Sequence, residues 1–158
     1  RKQMDCSKKV SFEELRAKLL EISQNSPKLR TSKRRESILK TLYEIDKHLT
    51  PEEVYYEVKS RYEPEIGLAT VYRSLVLLEE FDLIRSVDIQ DGTKRYEVNC
   101  DFQHDHLVCT ECGKIDEFYS PDVDAILQNI ASEKGYTQSS RSIRIFGICE
   151  KCMAKRSV

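Results

Sequence analysis

Apolar residues recur at helical spacing through the first half of the chain, which predicts a series of short helices. Within residues 11–22, Phe12, Leu15, Leu19 and Ile22 fall on one helical face. The segment Asn25-Ser26-Pro27 ends this first helix. The same periodicity predicts further helices over residues 32–44, from residue 51 onward and over residues 67–80.

The third of these helices has a clear start signal in Thr50-Pro51-Glu52-Glu53. Thr50 supplies an N-cap hydroxyl, Pro51 suits the first helical position, and Glu53 completes a capping box. The helix is therefore expected to begin directly after Thr50.

After the fourth helix the apolar pattern shortens to two strands, at residues 83–89 and 94–98, joined across Gln90-Asp91-Gly92. Short helices followed by a two-stranded ribbon predict a winged helix that binds DNA. An ordinary helical domain with a β-hairpin has the same order of elements, so the order alone leaves both alternatives open.

The fourth helix, LATVYRSLVLLEE, favours DNA binding. Val71, Leu75 and Leu78 are expected in the core. Hydroxyl groups suit phosphates, an aromatic edge suits a thymine methyl group and a guanidinium suits guanine. All three kinds of side chain are expected near the exposed amino-terminal side of this helix, at Thr70, Tyr72, Arg73 and Ser74. A basic patch precedes it at Lys28, Arg30, Lys33, Arg34, Arg35 and Lys40.

In the second half, helical periodicity gives way to strands and cysteine pairs. Strands are predicted over residues 102–109, 115–119 and 141–148, and a helix over residues 122–134. Two CxxC pairs bracket this half, and four thiolates complete the closed tetrahedron of a structural zinc site. A redox motif would require a CxxC pair to open a helix, and the sequence predicts none there. The predicted zinc ligands are Cys109, Cys112, Cys149 and Cys152.

The stretch QHDHLVC adds a second candidate metal site. Side chains two positions apart share a strand face, so His104 and His106 lie together, and Gln103 and Asp105 lie on the other face. With the carboxylate of Glu117, the two imidazoles make a mixed nitrogen and oxygen donor set that suits iron, manganese, zinc or nickel. Two solvent-facing histidines are the alternative.

Composition restricts the class of protein. The chain has 158 residues, 34% of them charged, and a formal net charge of −1, which argues against a general polyanion binder. It has neither an apolar run of membrane-spanning length nor a signal-peptide core, so a cytoplasmic protein is expected. Residues 1–10, which include Cys6, are expected to be a disordered tail. No nucleophile motif or phosphate-binding glycine loop indicates an enzyme, although a mononuclear metalloenzyme using His104, His106 and Glu117 is an alternative.

Four motifs, GLATVYRSLVLLEE, RYEV, HDHLVCTECGKIDEF and CEKC, resemble the ferric uptake regulator family of bacterial metal-dependent repressors over roughly residues 28–152. The resemblance implies an α+β fold, with an amino-terminal winged-helix DNA-binding domain at residues 11–99. A carboxyl-terminal α/β dimerisation domain with a structural zinc site would follow at residues 101–158. It also implies a homodimer that represses transcription by binding palindromic operator DNA.

The resemblance further implies specific roles. Tyr72 and Arg73 match base-reading residues, and Arg30 matches a basic residue that enters the minor groove. Ferrous iron is the expected regulatory metal, with Mn²⁺ or Zn²⁺ as substitutes in vitro. Zinc-, manganese- and peroxide-responsive relatives remain alternatives, and Cys100 keeps zinc sensing open. The implied sensory ligands are His48, Glu97, His104, His106 and Glu117.

A third metal site of the family is degenerate in this chain. Its matching positions are Gln103, Asp105, Asp124 and Arg141, so two nitrogen ligands are missing. We expect Arg141 to replace the ion by forming charge-assisted hydrogen bonds to one or both carboxylates. A solvated arginine at the start of a strand is the alternative.

Overall fold

The computed structural model describes residues 10–99, 104–138 and 141–157. These residues fall into two compact units that divide between residues 102 and 103, here called the amino-terminal and the carboxyl-terminal unit. Cys6, Cys100 and Gln103 lie outside the described residues, as do residues 1–9 of the predicted tail. No helix among the described residues is long and apolar enough to cross a membrane.

The amino-terminal unit consists of four helices and a two-stranded antiparallel ribbon in the predicted order. The bounds are α1 Phe12–Asn25, α2 Lys33–Glu44, α3 Pro51–Arg61, α4 Leu68–Glu80, β1 Ile84–Asp88 and β2 Lys94–Val98. The first strand is one residue shorter than predicted at each end. At its start, the Leu83 N–H donates to the carbonyl of Leu78 in the turn that follows α4. Gln90 takes a φ of 70° in the five-residue loop of the ribbon, which is longer than a simple Asp-Gly turn.

Local capping explains why three of these helices begin where they do. The hydroxyls of Ser11, Ser32 and Thr50 accept from backbone N–H groups in the first turns of α1, α2 and α3. At α3 the predicted capping box is present: the Glu53 N–H donates to Thr50 Oγ1 at 3.2 Å, and the Thr50 N–H donates to Glu53 Oε2 at 2.8 Å. Each cap satisfies backbone donors that have no partner inside the helix.

One apolar core holds the four helices and the ribbon together. Val71, Leu75 and Leu78 of α4 are buried in it, as their spacing predicts. Val10, the last residue of the predicted tail, is also buried there. Ser74 was predicted on the exposed side of α4, and this prediction is wrong: only 3% of it is exposed. Its small side chain fits on the inner face, next to Leu75.

The carboxyl-terminal unit contains a three-stranded mixed sheet with strand order β4-β3-β5. The central strand β3 pairs antiparallel with β4 and parallel with β5, which follows the crossover helix α5. The sequence did not predict the last helix, because seven largely charged residues show no apolar period. The bounds are β3 Asp105–Cys109, β4 Ile115–Phe118, α5 Pro121–Glu133, β5 Arg144–Gly147 and α6 Glu150–Arg156.

Candidate metal centres

Four cysteines converge at one end of the carboxyl-terminal unit. Their sulfur atoms all lie within 4.8 Å of one another, with Cys109 and Cys152 3.9 Å apart and Cys112 and Cys149 3.8 Å apart. A regular tetrahedron with zinc–sulfur bonds of about 2.3 Å has sulfur–sulfur edges of about 3.8 Å. The four sulfur atoms are therefore close enough together to hold a structural zinc ion.

Backbone N–H groups around this cluster favour the ionised form of the Cys109 thiol. The N–H groups of Cys112 and Cys149 point at the Cys109 sulfur and lower the pKa of that thiol to about 6. The Cys149 N–H lies 3.3 Å from this sulfur. Hydrogen bonding with Cys149 and burial instead raise the pKa of Cys152 to about 12. Cys109 thus loses its proton before Cys152, and a divalent cation would complete the deprotonation.

The second cysteine pair corrects part of the argument from sequence. Cys149 is the N-cap of α6, and Cys152 lies within that helix, so this CxxC pair does open a helix. The case for zinc therefore rests on the meeting of two pairs that lie 37 positions apart, which a two-cysteine redox motif does not require.

In the amino-terminal unit, an imidazole meets a carboxylate beside the ribbon. Leu49 forms a bridge with Tyr96 of β2, through N–H···O contacts of 3.0 and 2.7 Å. This bridge holds the segment before α3 against β2 and brings His48 next to Glu97. His48 Nε2 lies 2.8 Å from Glu97 Oε2, and both side chains are largely buried.

The carboxyl-terminal unit contributes a second group of imidazoles and a carboxylate. His106 of β3 is paired in register with Glu117 of β4, which places the two side chains on one face. His104 Nε2 lies 3.4 Å from Glu117 Oε1, and the rings of His104 and His106 stack edge to face with centroids 4.9 Å apart. Both histidines are buried, so the alternative of two solvent-facing imidazoles is wrong.

Asp105, Asp124 and Arg141, the described residues of the degenerate third site, meet on the opposite side of β3. Arg141 points at two carboxylates rather than into solvent. Its Nη2 lies 2.9 Å from Asp105 Oδ2, and its Nη1 lies 3.5 Å from Asp124 Oδ1. A guanidinium therefore lies where two carboxylates converge and forms ion pairs with both. The predicted hydrogen bonds between these groups are not formed, so that part of the prediction is wrong.

The residues predicted to contact DNA lie on the surface of the amino-terminal unit. Tyr72 and Arg73 of α4 are exposed, and Thr70 is partly exposed. Arg73 Nη2 donates to Thr70 Oγ1 at 3.3 Å, and the Tyr72 hydroxyl donates to Glu52 of α3, which raises the pKa of this phenol. Arg30 is exposed in the segment before α2, where its carbonyl accepts from Arg35.

An apolar surface of the carboxyl-terminal unit was not recognised from the sequence. None of the thirteen residues of α5, all of them described, is buried within this chain. Ile126 and Ile130 lie one turn apart and are 58% and 49% exposed. Leu107 and Ile145, which are paired in register on the sheet, are also exposed. The 3.6-residue apolar period of residues 122–134 predicted a helix with one apolar face. It did not indicate whether that face packs inside the chain or remains exposed.

Comparisons with known proteins agree with these features. The sequence profile of the ferric uptake regulator family matches residues 26–146. The ferric uptake regulation protein of Campylobacter upsaliensis is 41% identical over 132 residues, which cover 82% of this chain and 84% of the relative. The Helicobacter pylori ferric uptake regulator, whose structure has three functional metal-binding sites, superposes with a TM-score of 0.80 at 28% identity, covering 91% of this chain and 95% of that chain. The Campylobacter jejuni peroxide stress regulator superposes with a TM-score of 0.66 at 25% identity, covering 90% and 100%.

Proposed function

Because this chain belongs to the ferric uptake regulator family of metal-responsive transcriptional regulators, we propose that it is a homodimeric cytoplasmic repressor, not an enzyme, which binds palindromic operator DNA when loaded with ferrous iron. The observation that carries this proposal is the presence, in each unit, of one part of an imidazole and carboxylate ligand set. The winged-helix unit supplies the DNA-reading residues, and the carboxyl-terminal unit supplies the zinc ligands and the apolar surface.

The sensory site takes ligands from both units. We propose that His48 and Glu97 of the amino-terminal unit bind the same ion as His104, His106 and Glu117. The local geometry supports each half: His48 and Glu97 are 2.8 Å apart, and His104 and Glu117 are 3.4 Å apart. When bound, a divalent cation supplies the positive charge that neutralises the two glutamates.

The donor set supports ferrous iron, with Mn²⁺ or Zn²⁺ as substitutes in vitro. Imidazole and carboxylate ligands suit first-row divalent ions more generally. By the resemblance to the family, glutamates rather than aspartates at positions 97 and 117 favour iron over peroxide sensing. Cys109, Cys112, Cys149 and Cys152 would hold a separate zinc ion with a structural role, because four thiolates leave no open coordination position.

Ligands from two units provide a mechanism for the response. We propose that, without an ion, the carboxylates of Glu97 and Glu117 would repel one another and the winged-helix units would sample many orientations. If His48 and Glu97 shared an ion with His106 and Glu117, the orientation that matches two operator half-sites would be selected. To change the active population from about 1% to about 99%, the ion must favour that state by roughly 5.5 kcal/mol.

DNA reading is assigned to the exposed start of α4 and to the basic segment before α2. Tyr72 and Arg73 would contact base edges, Thr70 would contact phosphate, and Arg30 would reach the minor groove. A two-fold dimer places two such units about one helical turn apart on the duplex, which requires a roughly palindromic site.

Metal-dependent DNA binding tests the proposal directly. The probe is a duplex selected from a random library by the metal-loaded protein, titrated anaerobically with Fe²⁺ and separately with Mn²⁺, Zn²⁺ and Ni²⁺ at fixed salt. His104→Ala and Glu117→Ala should retain zinc and the dimer but require at least about 100-fold more free metal for binding, since even residues behind metal ligands change affinity 10–100-fold.

Asp116→Ala is the matched control. Asp116 lies beside Glu117 on β4 with its side chain on the other face, paired with Lys114 at 2.8 Å. It should respond to metal like the unmodified chain. If Glu117→Ala and His104→Ala kept the full metal response, the assignment of the sensory site would be wrong.

A further inference from the structure

Asp105 is a carboxylate in an unusual place. It lies on the central strand β3, between His104 and His106 in sequence but on the opposite face, and its side chain is 0% exposed. An ionised carboxylate in such a position is strongly unfavourable unless a positive charge lies against it. Arg141, itself only 6% exposed, lies 2.9 Å away and supplies that charge.

The same guanidinium reaches a second carboxylate from a different element. A separate nitrogen, Nη1, lies 3.5 Å from Asp124 of α5, whose side chain is 24% exposed. Arg141 precedes β5, so one planar cation connects three parts of the unit: the central strand, the crossover helix and the segment that leads into β5. A guanidinium spreads its charge over separate nitrogen atoms that can each face a different carboxylate, whereas an ammonium acts as a point charge.

Two converging carboxylates are a common arrangement for a hard divalent cation. Here the space between them is taken by a side chain of the chain itself. We propose that Arg141 is a resident cation that replaces a metal ion between Asp105 and Asp124, so that β3, which carries His106 and directly follows His104, is held in place when divalent metal is scarce. This inference goes beyond the proposed repressor function and depends neither on DNA binding nor on the identity of the sensory metal.

The energetics of buried ion pairs allow a sharp test. Replacing both charges by apolar groups of similar size is often neutral or stabilising, whereas removing one partner leaves an uncompensated buried charge and is strongly destabilising. If Arg141 acts by compensating Asp105, the two substitutions cannot be additive. Removal of the carboxylate must relieve the damage caused by removal of the guanidinium.

The first experiment measures thermal unfolding of the zinc-loaded full chain. Arg141→Met should lower Tm, and the double variant Asp105→Leu/Arg141→Met should melt at a higher temperature than Arg141→Met. Lys134→Ala, which removes an exposed cation at the end of α5, is the control and should leave Tm unchanged. If the loss in Tm of the double variant equalled the sum of the losses of the two single variants, the proposal would be overturned. If Arg141→Met alone does not fold, the proposal requires that adding Asp105→Leu restores folding.

The second experiment counts bound Mn²⁺ by electron paramagnetic resonance and needs no change at Arg141. The unmodified chain and Asp124→Ala should bind the same number of ions, because no metal lies between the carboxylates. Loss of one Mn²⁺ on Asp124→Ala would overturn the proposal. Arg141→His replaces the guanidinium with a metal ligand, so this variant should bind one Mn²⁺ more than the unmodified chain. The double variant Arg141→His/Asp124→Ala should lose that additional ion. An unchanged count in a folded Arg141→His chain would contradict the proposal.

Discussion

The apolar surface of α5 predicts how strongly the proposed dimer should depend on two residues. Ile126 and Ile130 are 58% and 49% exposed, so burying both in an interface hides about as much surface as one complete isoleucine per protomer. Full burial of such a side chain contributes roughly 1.5–3 kcal/mol. Two protomers would together gain about 3–6 kcal/mol from these four side chains.

The perturbation is the double variant Ile126→Gln/Ile130→Gln. Glutamine keeps helix propensity close to that of the rest of α5 but removes most of the apolar surface. At about 1.4 kcal/mol per tenfold change, dimer dissociation should become roughly 10²- to 10⁴-fold easier. Sedimentation equilibrium over a range of protein concentrations measures this change, with circular dichroism and zinc content showing that each protomer remains folded.

The control variant introduces the same residue, glutamine, at two exposed positions on the other side of α5. Ala125 and Ser132 are exposed and, at about 100° per residue, lie away from the stripe formed by Ile126 and Ile130. Ala125→Gln/Ser132→Gln should therefore leave the dimer intact. The reasoning fails if the isoleucine variant dissociates no more readily than the unmodified chain, or if the control dissociates equally.

The remaining predictions concern zinc and DNA. Cys149→Ser should release zinc and unfold the carboxyl-terminal unit, as zinc binding coupled to folding contributes on the order of 10 kcal/mol; a zinc-free folded dimer would contradict this. Zinc binds thiolates rather than thiols, and backbone N–H groups lower the pKa of the Cys109 thiol, which reduces the competition from protons. Zinc affinity should nevertheless fall as pH falls, so a chromogenic chelator should take up more zinc at acidic pH than at neutral pH. Fluorescence anisotropy should show that Arg73→Ala loses roughly 1–3 kcal/mol of binding free energy on the selected duplex and little on random DNA. Arg30→Ala should weaken binding to both duplexes and reduce the slope of log affinity against log salt concentration by about one. Equal losses for Arg73→Ala on both duplexes would show that this residue does not read bases.

Features that depend on a few neighbouring residues could be predicted from the sequence. Thr50 and Glu53 form the predicted capping box, because both hydrogen bonds close within a single helical turn. Val71 and Leu75 are buried as their spacing predicts, because the period of a helix decides which side chains share a face. Periodicity was a weaker guide at Ser74, where a small polar residue occupies an inward position.

Features that join distant segments were decided by the tertiary structure. The CxxC spacing predicted two chelating turns, but the parallel register of β3 with β5 brings Cys109 near Cys149. Likewise, the bridge between Leu49 and Tyr96 places His48 against Glu97, and no local pattern encodes that contact.

Burial was the property that the sequence determined least. Alternation along β3 predicted that His106 and Asp105 face opposite sides, but it did not predict that both are buried. The periodicity of α5 predicted a helix, yet its apolar stripe is exposed in the single chain. Local periodicity is set by backbone geometry over a few residues, whereas burial depends on which segments pack together, and this packing is decided by strand register and by contacts far apart in the sequence.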